Sequence, residues 1–180
     1  MRKALSAFCV TLAFSPTLFA ADDLSVSAIT ANIINVVDRY ASSVACFDLG
    51  VEPKNIAALT PLQSVDEHLD AEYAVWWMGD IGCAGGSGTS GSHIAIVNIG
   101  AGGYFYVDPT RSSPTVDFDT PTRHITKIIG NTHDSIVFEG VEYGEKDPNC
   151  CPSIPIRFTL KANEQGDWRL VDKKELPRKP

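Results

Sequence analysis

The chain has 180 residues, with 15 Lys and Arg against 22 Asp and Glu, a formal net charge of −7, and 44% hydrophobic residues. That composition suits a single domain with enough apolar residues for a core. The acidic field repels nucleic acid and anionic lipid, so neither is an expected partner.

Arg2 and Lys3 form a basic start, Ala4 to Leu18 a short apolar run, and Phe19-Ala20-Ala21 supplies small residues. This pattern is that of a bacterial secretory signal peptide, with cleavage after Ala20. The run is short and Pro16 interrupts it, so it does not read as a membrane span. The expected layout is a signal peptide over 1–20 and one domain over 21–180, exported to the periplasm without a membrane anchor.

Asp22, Asp23 or Ser25 can cap a helix running to about Phe47. Ile29, Ile33, Val36, Tyr40, Val44 and Phe47 recur at helical spacing, with Cys46 in the last turn. The stretch from Glu52 to Leu69 is polar and holds Pro53 and Pro61, with a helical turn expected from Pro61 to His68. From Ala71 the period becomes that of strands. Ala71–Met78, Ser92–Ile99 and Tyr104–Val107 read as antiparallel neighbours, and Val116 and Phe118 as a short edge piece. Arg123–Ile129 is ambiguous between strand and helical turn. Ser135–Tyr143, Ile154–Leu160 and Asp167–Val171 read as further strands, with a hairpin loop over Gly144–Ser153. The expected fold is α+β: an N-terminal amphipathic helix on a mainly antiparallel sheet, stapled by disulfides.

Beyond the signal segment the cysteines are Cys46, Cys83, Cys150 and Cys151. An even number in an exported chain reads as two disulfides. A ring between vicinal cysteines strains the peptide joining them. Cys150 and Cys151 are therefore expected to reach outward, one to Cys46 and one to Cys83, in either order.

Between two apolar runs lies the loop Gly82-Cys83-Ala84-Gly85-Gly86-Ser87-Gly88-Thr89-Ser90-Gly91. No lysine follows its glycines as a phosphate loop requires, and a strand rather than a helix leaves it, unlike a dinucleotide fingerprint. No nucleophile elbow is present either. Cys83 with His93 would make a thiol nucleophile and its base, provided the thiol were free. An even cysteine count favours a disulfide instead. Asp80, Asp108, Asp117 and Asp119 read as solvated loop acids. With His93, His124 and His133 scattered, no metal site and no cofactor is expected.

Strand alternation sends one of Trp76 and Trp77 outward. The expected binding surface combines Trp77, Tyr104 and Tyr106 with Gly85, Gly86, Ser87, Thr89 and Ser90 of the loop, the last two near an exposed tip. It would serve an envelope protein partner or a small ligand, as an inhibitor or immunity-type protein would. A thiol-dependent hydrolase and a purely structural envelope component are the alternatives.

Asp147-Pro148-Asn149-Cys150-Cys151-Pro152-Ser153, together with Gly79-Asp80 and Cys83-Ala84-Gly85-Gly86-Ser87-Gly88, resembles exported bacterial domains of the LppP/LprE lipoprotein type. The resemblance spans about residues 76–160. It implies a disulfide-bonded envelope protein with no established catalytic activity. This chain has no lipobox cysteine at the cleavage site, so lipid anchoring does not carry over.

Overall fold

A computed structural model describes residues 25–64, 66–85, 89–148 and 151–178. The signal segment, Gly86, Ser87 and Cys150 lie outside the described residues.

Helix α1 (Val26–Val44) begins at Ser25, whose hydroxyl accepts the Ala28 amide and satisfies one of the free N–H groups of the first turn. Its buried stripe is Ile29, Ile33, Val37 and Ala41, a strict four-residue spacing on one face. The helix ends before Cys46, which lies in strand β1 (Ala45–Asp48) and not in a last helical turn.

β1 is followed by β2 (Ile56–Thr60), β3 (Glu72–Ile81), β4 (Gly91–Ile99) and β5 (Phe105–Val107). These make a five-stranded sheet in which β3 and β4 are central. β1 and β2 share the same outer edge of β3: Ala45 pairs with Ile81 at one end and Ile56 with Val75 at the other. The chain then builds a second, four-stranded sheet in simple meander order from β6 (His124–Asn131), β7 (Ser135–Glu142), β8 (Ile154–Ala162) and β9 (Trp168–Glu175). The ambiguous segment is thus a strand. Every strand pair is antiparallel; Phe118, expected as an edge piece, makes an isolated parallel bridge to Trp168.

The expectation of one sheet is corrected to two, and the reason is visible in the side-chain alternation. Tyr73, Val75 and Trp77 of β3, with Ala95, Val97 and Ile99 of β4, share a buried cluster with the helix stripe. Ala74, Ile94 and Ile96 point the other way, into a cluster with Ile136, Phe138, Ile156, Phe158 and Leu160 of the second sheet. The first sheet is therefore covered on both faces. Phe138 and Phe158 stack across β7 and β8 at 5.2 Å between ring centroids. Burying side chains of this size contributes about 1.5–3 kcal/mol each relative to exposure.

The disulfide joins Cys46 to Cys83. This overturns the expected pairing of each with Cys150 or Cys151. The antiparallel pairing of Ala45 with Ile81 already brings the two chain segments together, so the bridge closes locally. Cys151 is disulfide-bonded as well.

Candidate functional site: a cleft between the sheets

A cleft of about 850 Å³ opens where the glycine loop enters β4 and where β6 starts beside the end of β7. Four separate stretches form it: Ile81 at the end of β3, Gly91–His93, the irregular segment from Ser113 to Arg123, and Glu142–Tyr143. That volume is in the range of small-ligand sites.

The floor is fixed by buried hydroxyls. Ser112 Oγ accepts the Ile96 amide at 2.8 Å and donates to the Asp108 carbonyl at 2.6 Å. The Ser113 amide donates to the Ile94 carbonyl, and the Tyr40 hydroxyl reaches from α1 to the Ser113 carbonyl at 2.7 Å. The segment after β5 is thus tied to β4 and to the helix at once. On the far wall, Thr122 Oγ1 donates to the Val141 carbonyl and accepts the His124 amide, which sets the start of β6.

The polar side chains of the cleft are held by neighbours. Ser92 Oγ donates to the Arg123 carbonyl at 2.7 Å. Arg123 Nε donates to His124 Nε2 at 3.2 Å and Nη2 donates to the Tyr143 hydroxyl at 2.7 Å, while the guanidinium lies 5.5 Å from the Tyr143 ring centre. A guanidinium offers only donors, so His124 Nε2 is the acceptor and the imidazole is neutral. Burial lowers the His124 pKa, and the neighbouring Arg123 charge lowers it further. His93 Nε2 donates to the Gly79 carbonyl at 3.1 Å. Burial lowers the His93 pKa as well, against the opposing effect of that hydrogen bond. Glu142 is engaged by Lys173 at 2.9 Å.

The expected surface is only partly assembled. Trp77 is 2% exposed and lies on the helix face, not outward. Tyr104 and Tyr106 are exposed, at 73% and 48%, but at the other end of β4. Trp77 pairs with His93 and Tyr106 with Asn98, five positions along β4 and about 17 Å apart. Thr89 and Ser90 are half-buried, not an exposed tip. The Gly85 amide donates to Asp80 Oδ2. Cys83 is in a disulfide, which removes the free thiol that a Cys83–His93 pair needs. Asp80, expected as a solvated acid, is 5% exposed.

Among the described residues no group of three or more His, Cys, Asp or Glu side chains gathers as a metal centre, and no helix is long and apolar enough to cross a membrane. The residues missed in the sequence are Ser92, Arg123 and Tyr143. Their one local signal is Arg123-His124, a basic pair opening a strand in an acidic chain. The Asp147-to-Ser153 motif has a structural account: the Asp147 carboxylate accepts from the Gly144 amide, the Ser153 amide and the Ser153 hydroxyl, closing the loop that carries the cysteines. Compared with known protein families, curated proteins and solved structures, the chain matches none of them.

Proposed function

We propose that this is an exported, soluble, non-catalytic binding protein of the bacterial periplasm that takes a small polar ligand, or a side chain of an envelope partner, into the cleft between its sheets. One observation carries the reading: polar groups of Ser92, His93, Arg123 and Tyr143, from separate chain segments, converge on one cleft of ligand size. Hydrogen bonds to neighbouring residues hold these groups, so a ligand would meet an ordered wall and lose less entropy on binding. The signal-peptide pattern, the Cys46–Cys83 bridge and the resemblance to LppP/LprE-type domains support the setting.

Native mass spectrometry of the protein released gently from periplasm tests it. Wild type is expected to carry a non-covalently bound species or partner. Thr120→Trp, which fills the cleft, is expected to lose it while melting normally. A wild type that carries nothing, or a variant that retains the species, speaks against the cleft.

A further inference from the structure

A second cavity, of about 260 Å³, lies between the first turns of α1 and strand β2. The helix packs chiefly against β5 and β1 rather than β2, so its first turns stand off the β2 edge. Ile29 and Ile33 of α1 and Ile56 and Ala58 of β2 line the space, with Pro53 and Leu62 from the flanking turns. Close-packed interiors leave few voids larger than a water molecule, so a space of this size is not ordinary packing. None of its lining residues belongs to the cleft between the sheets.

The walls are tied in place. The Val51 amide donates to Asp38 Oδ1 at 3.0 Å, which holds the chain before β2 to the helix. Asn55 Oδ1 accepts the Glu52 amide at 2.7 Å and closes the turn between them. The Leu62 amide donates to the Tyr73 hydroxyl at 2.8 Å, which holds the chain after β2 to β3. A ligand would meet an ordered wall here too.

The lining chooses the ligand. No charged side chain among the described residues lines the cavity. Lys54, beside Pro53, is paired with Glu52 at 2.7 Å. A carboxylate in the cavity would be buried without a cation, which is costly. Tyr73 also lines the space and is 4% exposed. Burial raises its pKa, so the phenol keeps its proton. Its oxygen already accepts the Leu62 amide, and its own proton has no acceptor among the described residues. The polar group on offer is thus one neutral donor in an apolar space. A dry apolar cavity of about 150 Å³ takes benzene, so this one holds about ten heavy atoms.

We propose that this cavity binds a small neutral apolar molecule carrying one carbonyl, whose oxygen accepts the Tyr73 hydroxyl proton. The site goes beyond the proposed function, because it is apolar where the cleft is polar.

Methyl heptyl ketone, nonanoate and butylbenzene are the probes: a neutral carbonyl, a carboxylate and a hydrocarbon of similar size. Each is titrated into exported protein and followed by two-dimensional amide NMR. The ketone is expected to give saturable shifts centred on the first turns of α1, residues 53–62 and Tyr73, and nonanoate to bind about tenfold more weakly. Tyr73→Phe should weaken the ketone about two- to tenfold, the worth of one hydrogen bond, and leave butylbenzene as in wild type. Thr30→Phe, which fills the cavity from the helix, should lose both while melting like wild type. The proposal is overturned if the ketone gives wild type no saturable shifts, if those shifts centre on the cleft, or if nonanoate binds as tightly. Equal weakening of ketone and butylbenzene by Tyr73→Phe, or a folded Thr30→Phe that keeps the ketone, would overturn it as well. The wild-type titrations decide by themselves should a variant not fold.

Discussion

The imidazole of His93 lies against the indole of Trp77, with ring centroids 4.7 Å apart and planes inclined by 42°. The two residues are directly paired across β3 and β4. Trp77 belongs to the core under the helix, while His93 also borders the cleft. The histidine therefore joins the packed interior to the proposed binding site, and its protonation state matters to both.

His93 has its pKa lowered first by burial, and so does His124. A base with a depressed folded pKa gives stability that is complete above its unfolded pKa of about 6.5 and is lost as pH falls from there toward the folded value. The carboxylates with lowered pKa, Asp134, Glu139 and Asp147, act with the same sign only below about pH 4.5. Melting temperature is thus expected to fall between pH 7.5 and 5. His93→Gln, which keeps a donor for the Gly79 carbonyl, should flatten that slope. Equal slopes would remove His93 as the cause.

The Cys46–Cys83 bridge closes a separation of 37 residues. Loop-closure entropy for that length is about 4 kcal/mol, and loss of such a bridge in small exported domains costs about 2–5 kcal/mol. Cys46→Ser is expected to lower unfolding free energy by that amount in a urea titration. Non-reducing peptide mapping should find Cys46 joined to Cys83; either one joined to Cys151 would contradict the fold.

Gly140 sits where β7 passes the start of β6. A Cβ there would lie 2.8 Å from the His124 carbonyl and 3.0 Å from the Thr122 methyl. Backbone on that side cannot swing away as a surface side chain could. Gly140→Ala should cost about 1–3 kcal/mol by overpacking and displace the Thr122–His124 wall of the cleft. Gly130→Ala, with nothing within 4 Å of its Cβ, is the control and should stay within about 0.5 kcal/mol. Chemical denaturation of both variants checks the contrast.

Asp147 clamps the cysteine-bearing loop from its exposed side, and its pKa is lowered first by the hydrogen bond from the Gly144 amide. Asp147→Ala should lower the melting temperature modestly at neutral pH while amide exchange at Gly144 and Ser153 speeds up. Unchanged exchange would show that other contacts close the loop.

Periodicity alone makes the helix, β7 and β8 legible, because each has one clear apolar face. It failed where a strand is covered on both sides. In β3, Trp76 packs toward the second sheet and Trp77 toward the helix, so neither is the outward residue that alternation predicts. β2 was hidden because Ile56–Thr60 is short and sits in a polar stretch. The disulfide pairing was misjudged because it depends on β1 folding back on β3, a contact that spacing does not encode. The cleft was illegible for the same reason: Ser92, Arg123 and Tyr143 meet only once the two sheets are stacked.

The most direct test separates the cleft from the exposed tyrosine pair at the far end of β4. Wild type, Thr120→Trp and Tyr106→Ala are immobilised in parallel and exposed to periplasmic extract from the producing cells, and the retained species are compared by mass spectrometry. The cleft reading predicts that a species held by wild type is lost by Thr120→Trp and kept by Tyr106→Ala, with all three melting alike. Retention by Thr120→Trp and loss by Tyr106→Ala would contradict it and move binding to the tyrosines.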